Sequence, residues 1–86
     1  MTRVTLIGTT DCRLCDDALA LLDRLGAECP LSVEKIDLAS VDGERLAAEH
    51  GMVFPPGVLL DGLPFSYGRL SERRLRRALA RTRTRV

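Results

Sequence analysis

The sequence predicts an α/β fold, a four-stranded mixed sheet with three helices in the order β-α-β-α-β-β-α. Three observations predict it. A β-branched run near the amino terminus gives way to apolar residues at helical spacing. A Pro-Pro pair introduces a later strand-like run that stops at Asp61-Gly62, a strong hairpin signal. Ser71 then opens a closing stretch whose apolar residues recur every three or four positions among arginines.

Arg3 to Ile7 is short and apolar, with branching at Val4, Thr5 and Ile7, and reads as a buried strand. Gly8-Thr9-Thr10-Asp11 breaks it. From Arg13, the residues Leu14, Ala18, Leu21, Leu22 and Leu25 line one helical face, and Gly26 stands where a glycine cap would end the helix. Asp16 and Asp17 suit the positive end of the helix dipole. A second strand is expected over Ser32–Leu38, a capping turn over Ser40–Gly43, and a short helix over Glu44–His50 stopped by Gly51. Strands over Gly57–Leu60 and Leu63–Tyr67 flank the hairpin, with Pro64 placing the latter at a sheet edge. In the last helix Leu75, Ala78 and Leu79 face inward, and the tail from Arg83 is expected to fray. The first two strands, joined through a helix, should run parallel with a right-handed crossover, and the last two, joined by a hairpin, antiparallel.

The 86 residues leave room for one domain, 1–86. With 45% hydrophobic and 29% charged residues, the composition excludes a disordered tail, a collagen repeat and a bare coiled coil. Three cysteines are too few and odd in number for a disulfide-stapled miniprotein. No apolar run approaches the ~20 residues of a membrane span, and the amino terminus lacks a signal-peptide layout. The expected setting is cytoplasmic, with no membrane partner.

The net charge of +1 conceals an asymmetry. Residues 69–86 hold eight Arg and one Glu, or +7; residues 1–68 hold five basic and eleven acidic groups, or −6. Arg69, Arg73, Arg74, Arg76, Arg77, Arg81, Arg83 and Arg85 would form a basic surface. An acidic protein partner fits it better than nucleic acid, because the chain has almost no aromatic residues for base stacking. The plain alternative is a solvated face in an Arg-rich chain, with twelve Arg to one Lys.

Cys12-Arg13-Leu14-Cys15 falls where a strand ends and a helix begins. A CxxC pair alone is open to redox, metal or inert readings. Placement favours redox chemistry. At a helix amino terminus, unpaired N–H groups and the dipole stabilise a thiolate on Cys12, the species that attacks disulfides. Cys15, one turn further, can resolve the mixed disulfide. Arg13 assists the thiolate while Asp11, Asp16 and Asp17 oppose it, so a moderately lowered Cys12 pKa is expected. A zinc site through Cys12, Cys15, Cys29 and His50 would need ligands 21 positions apart, against the usual paired spacing, and no metal is expected. Cys29 reads as a small filler or loop thiol, and His50 as a surface or helix-capping residue.

The chain of strand, CxxC, strand, helix and then Gly51-Met-Val-Phe-Pro-Pro-Gly-Val-Leu-Leu-Asp-Gly62 resembles a glutaredoxin of the thioredoxin-fold superfamily. It is most similar to small bacterial glutaredoxin-like proteins with a Cys-x-Leu-Cys-Asp motif, over about residues 3 to 80. The resemblance implies a thioredoxin-like fold with strand order 2-1-3-4 and helices on both faces. It implies thiol–disulfide exchange with Cys12 as nucleophile and Cys15 as resolver. It also implies that Pro56 is cis and packs beside the CxxC; taken alone, the two prolines read as trans and as stiffening a loop.

Several positions depart from the glutathione-using pattern. Thr9 stands where a basic residue is usual, and Leu14 where Tyr is frequent. Pro55 has no N–H to offer a peptide-like ligand, though its carbonyl remains available. Phe65-Ser66 replaces a Gly-Gly pair, and Arg69 stands near the position that follows it. The expected substrate-binding residues are Arg13, Leu14, Pro55, Pro56 and Arg69, with Arg69 or Ser71 able to hold a carboxylate. The expected substrate is a protein or small-molecule disulfide. No bound cofactor is required, and glutathione or a thioredoxin is an available reductant. The alternative is a redox-sensing or metal-holding adaptor without turnover.

Overall fold

β1 (Thr2–Gly8) is central, flanked by β2 (Leu31–Asp37) and β3 (Gly57–Leu60), with β4 (Leu63–Tyr67) outside β3. The sheet order is therefore β2-β1-β3-β4, as predicted. β1 and β2 are parallel, joined through α1 (Arg13–Gly26), whereas β1–β3 and β3–β4 are antiparallel. α2 (Val41–Glu49) links β2 to β3, and α3 (Glu72–Thr84) follows β4. The computed structural model describes residues 1–84, with side chains to Arg81. Arg85 and Val86 of the predicted fraying tail lie outside the described residues.

Alternation along β1 decides the layers. Val4 and Leu6 point to the face covered by α1 and α3, where they join Ala18, Leu21, Leu22, Leu25, Val58, Leu75 and Leu79 in one buried cluster. Ile7 and Leu59 point to the other face, where Leu46 of α2 borders them around a small cavity. The hairpin residues Asp61 and Gly62 both take positive φ, 49° and 84°, as a two-residue primed turn requires. The Asp61 carboxylate accepts a bond from the Arg3 N–H at 2.8 Å, tying the turn to β1. Pro64 lies on the edge strand, beside the register shift at Val58/Leu59.

Two helix ends add to the sequence reading. α1 ends at Gly26 as read, but its cap is the right-handed Ala27 and not the glycine, and the Cys29 N–H bonds to the Leu25 carbonyl at 2.9 Å. The turn beyond the helix lays half-buried Cys29 against the core. α2 begins at Val41, not Glu44, because the Ser40 hydroxyl accepts from the Gly43 N–H at 3.0 Å and so caps the helix three residues earlier. Its end is as read: His50 is the C-cap and Gly51 takes φ 63°.

Ion pairs fasten α3 to α1. Arg76 grips both oxygens of Glu28 at 3.0 Å and reaches Glu72 at 2.9 Å, while Arg24 reaches Glu72 at 3.2 Å. The hydrogen bond from Arg76 holds the Glu28 and Glu72 carboxyls below their ordinary range, with Arg24 adding to the effect. The same carboxylates raise the Arg76 pKa.

Candidate functional site

Cys12 occupies the N-cap of α1. Its backbone is extended (φ −119°, ψ 106°), and its sulfur accepts the Cys15 N–H at 3.1 Å. A cap acceptor is ordinarily a side-chain oxygen of Ser, Thr, Asp or Asn; here it is Sγ, on the positive end of the dipole. Cys12 and Cys15 are joined as a disulfide with their Cα atoms 5.2 Å apart. The two sulfurs are not equivalent. Cys12 is half-buried, whereas Cys15 is 6% exposed.

The end of β1 is shaped around Cys15. A Cβ placed on Gly8 would lie 3.0 Å from Cys15 Sγ, so a larger residue there would crowd the sulfur. On the β2 side of the disulfide is a cleft of about 220 Å³, bordered by Thr9, Thr10, Cys15, Asp16, Lys35 and Asp37. Lys35 has no recognisable motif, which is why the sequence does not reveal it there.

On the other side stands the proline segment. The register Ile7↔Gly57 places Pro56 beside Gly8 and the loop leading to Cys12. The Pro55–Pro56 bond is cis; Pro56 is fully buried and Pro55 half-buried. Gly68 follows β4 with φ 80° and donates its N–H to the Pro56 carbonyl at 2.9 Å. It must be glycine twice over: φ is positive, and a Cβ would strike the Phe54 ring. Phe54 in turn meets Tyr67 edge-on at 5.5 Å between centroids. Both rings are about half exposed, at 51% and 47%, and Val53 beside them is 71% exposed.

The predicted site residues thus gather at one end of the sheet. Cys12, exposed Arg13, half-buried Leu14 and Cys15 come from the start of α1, Pro55 and Pro56 from the approach to β3, and exposed Arg69 from just beyond Gly68. Ser71 is engaged as the α3 cap, its hydroxyl accepting from Arg74 N–H at 3.2 Å. The aromatic corner escaped the sequence reading. The signal was there, since all three aromatic residues fall between Phe54 and Tyr67. The basic surface proves divided. Arg76 is committed to Glu28 and Glu72, and Arg74 lies over the Phe65 ring at 5.3 Å. Arg69, Arg73 and Arg77 are exposed and make no ion pair among the described residues. The Arg83 side chain and all of Arg85 lie outside the described part. Among the described residues no three His, Cys, Asp or Glu side chains cluster to hold a metal, and no helix is long and apolar enough to cross a membrane.

A mixed sheet in this order, with a Cys pair at the start of the first helix, defines a protein of the thioredoxin fold. Solved structures agree. A mutant thioredoxin from Halobacterium salinarum superposes with a TM-score of 0.70 at 21% identity, over 99% of this chain and 76% of its own. Oxidized mitochondrial thioredoxin 3 from Saccharomyces cerevisiae gives 0.67 at 20%, over 93% and 77%. A malarial protein gives 0.70 at 18%, over 94% and 96%. No curated protein matches the chain. Residues 3–80 match the glutaredoxin-like domain (DUF836), and the chain belongs to that family.

Proposed function

We propose that the protein is a thiol–disulfide oxidoreductase working through the Cys12–Cys15 pair. The observation that carries this reading is the asymmetry of the pair: a half-buried Cys12 whose sulfur caps a helix, and a buried Cys15 bonded to it. In the reduced state the Cys12 thiolate keeps the Cys15 N–H and the helix dipole as its stabilisers. It attacks one sulfur of a substrate disulfide, and the other sulfur leaves as a thiolate. The Cys15 thiolate then attacks Cys12 Sγ, releasing the second substrate thiol and closing the Cys12–Cys15 disulfide. Two electrons pass from protein to substrate, and an external thiol reductant such as glutathione or a thioredoxin restores the dithiol. No bound cofactor enters these steps.

Pro55 offers a substrate backbone its carbonyl but no N–H, and Thr9 supplies no charge. That pair of features favours a protein disulfide over a tightly held glutathione. A cytoplasmic setting suits the reading, since its thiol pool keeps such pairs reduced. The test is reduction of insulin and of hydroxyethyl disulfide, with Cys12→Ser as control. Turnover above the control supports the proposal. A reversible disulfide without turnover would replace it with a sensor or adaptor role.

A further inference from the structure

We infer that the corner formed by Val53, Phe54 and Tyr67, together with the Arg69–Arg73–Arg77 stripe, docks a protein segment that has an apolar side chain beside its disulfide and carboxylates further along. The inference rests on the exchange reading above and names the substrate class for the same site.

The apolar half is anchored to the reacting end. Phe54 packs across Gly68, whose N–H is bonded to Pro56, and it meets Tyr67 edge-on. The two rings are therefore held in place while about half of each faces solvent. Rigid, half-exposed aromatic groups are what a partner's apolar side chain binds with little ordering cost.

The charged half starts from the same corner. Arg69 follows Gly68 directly, and Ser71 caps α3 two residues later. Arg73 and Arg77, one turn apart, share a face of α3 turned away from the buried Leu75 and Leu79. The paired Arg76 shows the contrast: this chain has acids available for ion pairing, yet among the described residues none reaches the stripe.

The other flank carries the opposite sign. Asp11, Asp16 and Asp17 are all exposed around the start of α1, against a single exposed base there, Arg13. An acidic segment is attracted along α3 and repelled from α1, so the field selects both the partner and the direction of approach.

The probe is a peptide whose single cysteine forms a mixed disulfide with thionitrobenzoate. Leucine stands on one side of the cysteine and a run of glutamates on the other. The reduced Cys12 thiolate attacks the peptide sulfur, coloured thionitrobenzoate leaves, and Cys15 then releases the peptide thiol; dithiothreitol supplies the electrons beforehand. At low salt the glutamate peptide should react roughly tenfold faster than its glutamine twin, and added salt should erase the difference. Arg73→Glu with Arg77→Glu should remove or invert that ratio. Replacing the leucine by serine should slow the reaction, and Phe54→Ser should bring the leucine-to-serine ratio to one.

Equal rates for both peptide pairs would overturn the inference. So would tighter binding of a single-stranded oligonucleotide than of a glutamate peptide of equal charge at the same salt, which would assign the stripe to nucleic acid. Hydroxyethyl disulfide, which has neither feature, separates the two readings. If it is reduced while the peptide ratios are one, the docking surface falls and exchange stands; if it is not reduced, both fall.

Discussion

At its amino end α1 holds Cys12 half-exposed at the cap, with Cys15 one turn behind; at its carboxyl end Leu21, Leu22 and Leu25 are buried against Val4, Leu6, Leu75 and Leu79. One helix of fourteen residues therefore serves two purposes at two addresses. The carboxyl half is closed by packing and fastened by the Arg76 ion pairs. The amino half is left open, with the Cys15 N–H bonded to the Cys12 sulfur. The contrast predicts that the proposed chemistry and the stability of this chain can be perturbed separately.

The largest separable effect is expected at Cys12. Serine can replace the cap acceptor, so Cys12→Ser should keep its far-ultraviolet circular dichroism and melting temperature while disulfide reduction falls to background. Loss of both together would show that the two halves of α1 are not independent. At the other address, Leu25→Ala should cost about 2–5 kcal/mol by opening a cavity in the core. Each kcal/mol should lower the Tm by about 4–8 °C. Below its melting point, the variant should reduce disulfides at the parent rate.

A smaller effect is expected at the start of α3. Ser71→Ala removes the acceptor for the Arg74 N–H and should cost about 0.5–2 kcal/mol in urea unfolding. The smallest concerns acid. Glu28 and Glu72 titrate below their usual value of 4.5 because Arg76 is bonded to them. Their contribution is thus fully present above the unfolded carboxylate range and is lost as pH falls through the lowered folded values. Arg76→Ala should flatten that part of the stability profile, and salt should shrink the difference because the groups are exposed. An unchanged acid profile would remove the ion pairs from the account of the closed half.

Much of this division was legible in the residues. The spacing of Leu21, Leu22 and Leu25 declares a buried face, and Asp61-Gly62 declares a hairpin whose two residues do take positive φ. The position of the Cys pair between a strand and a helix placed it at the cap. What was not legible depends on contacts between distant segments. Gly26 reads as the cap of the helix, but it is the last helical residue and Ala27 is the cap, with Cys29 packed against the core beyond it. Arg76 looks like its neighbours in sequence and differs only because Glu28, 48 positions earlier, comes within reach. Phe54 and Tyr67 meet because Gly68 leaves room between them and the proline segment, a fact with no local signature.

The central claim is that Cys12 attacks and Cys15 resolves. Its most direct measurement is intact-mass analysis of the two variants that each keep one cysteine of the pair, after exposure to a disulfide substrate. Cys15→Ser should accumulate a mixed disulfide that peptide mapping places on Cys12. Cys12→Ser, whose remaining sulfur of the pair belongs to a residue 6% exposed in the parent structure, should accumulate none on Cys15. An adduct forming on Cys15 as fast as on Cys12 would contradict the account.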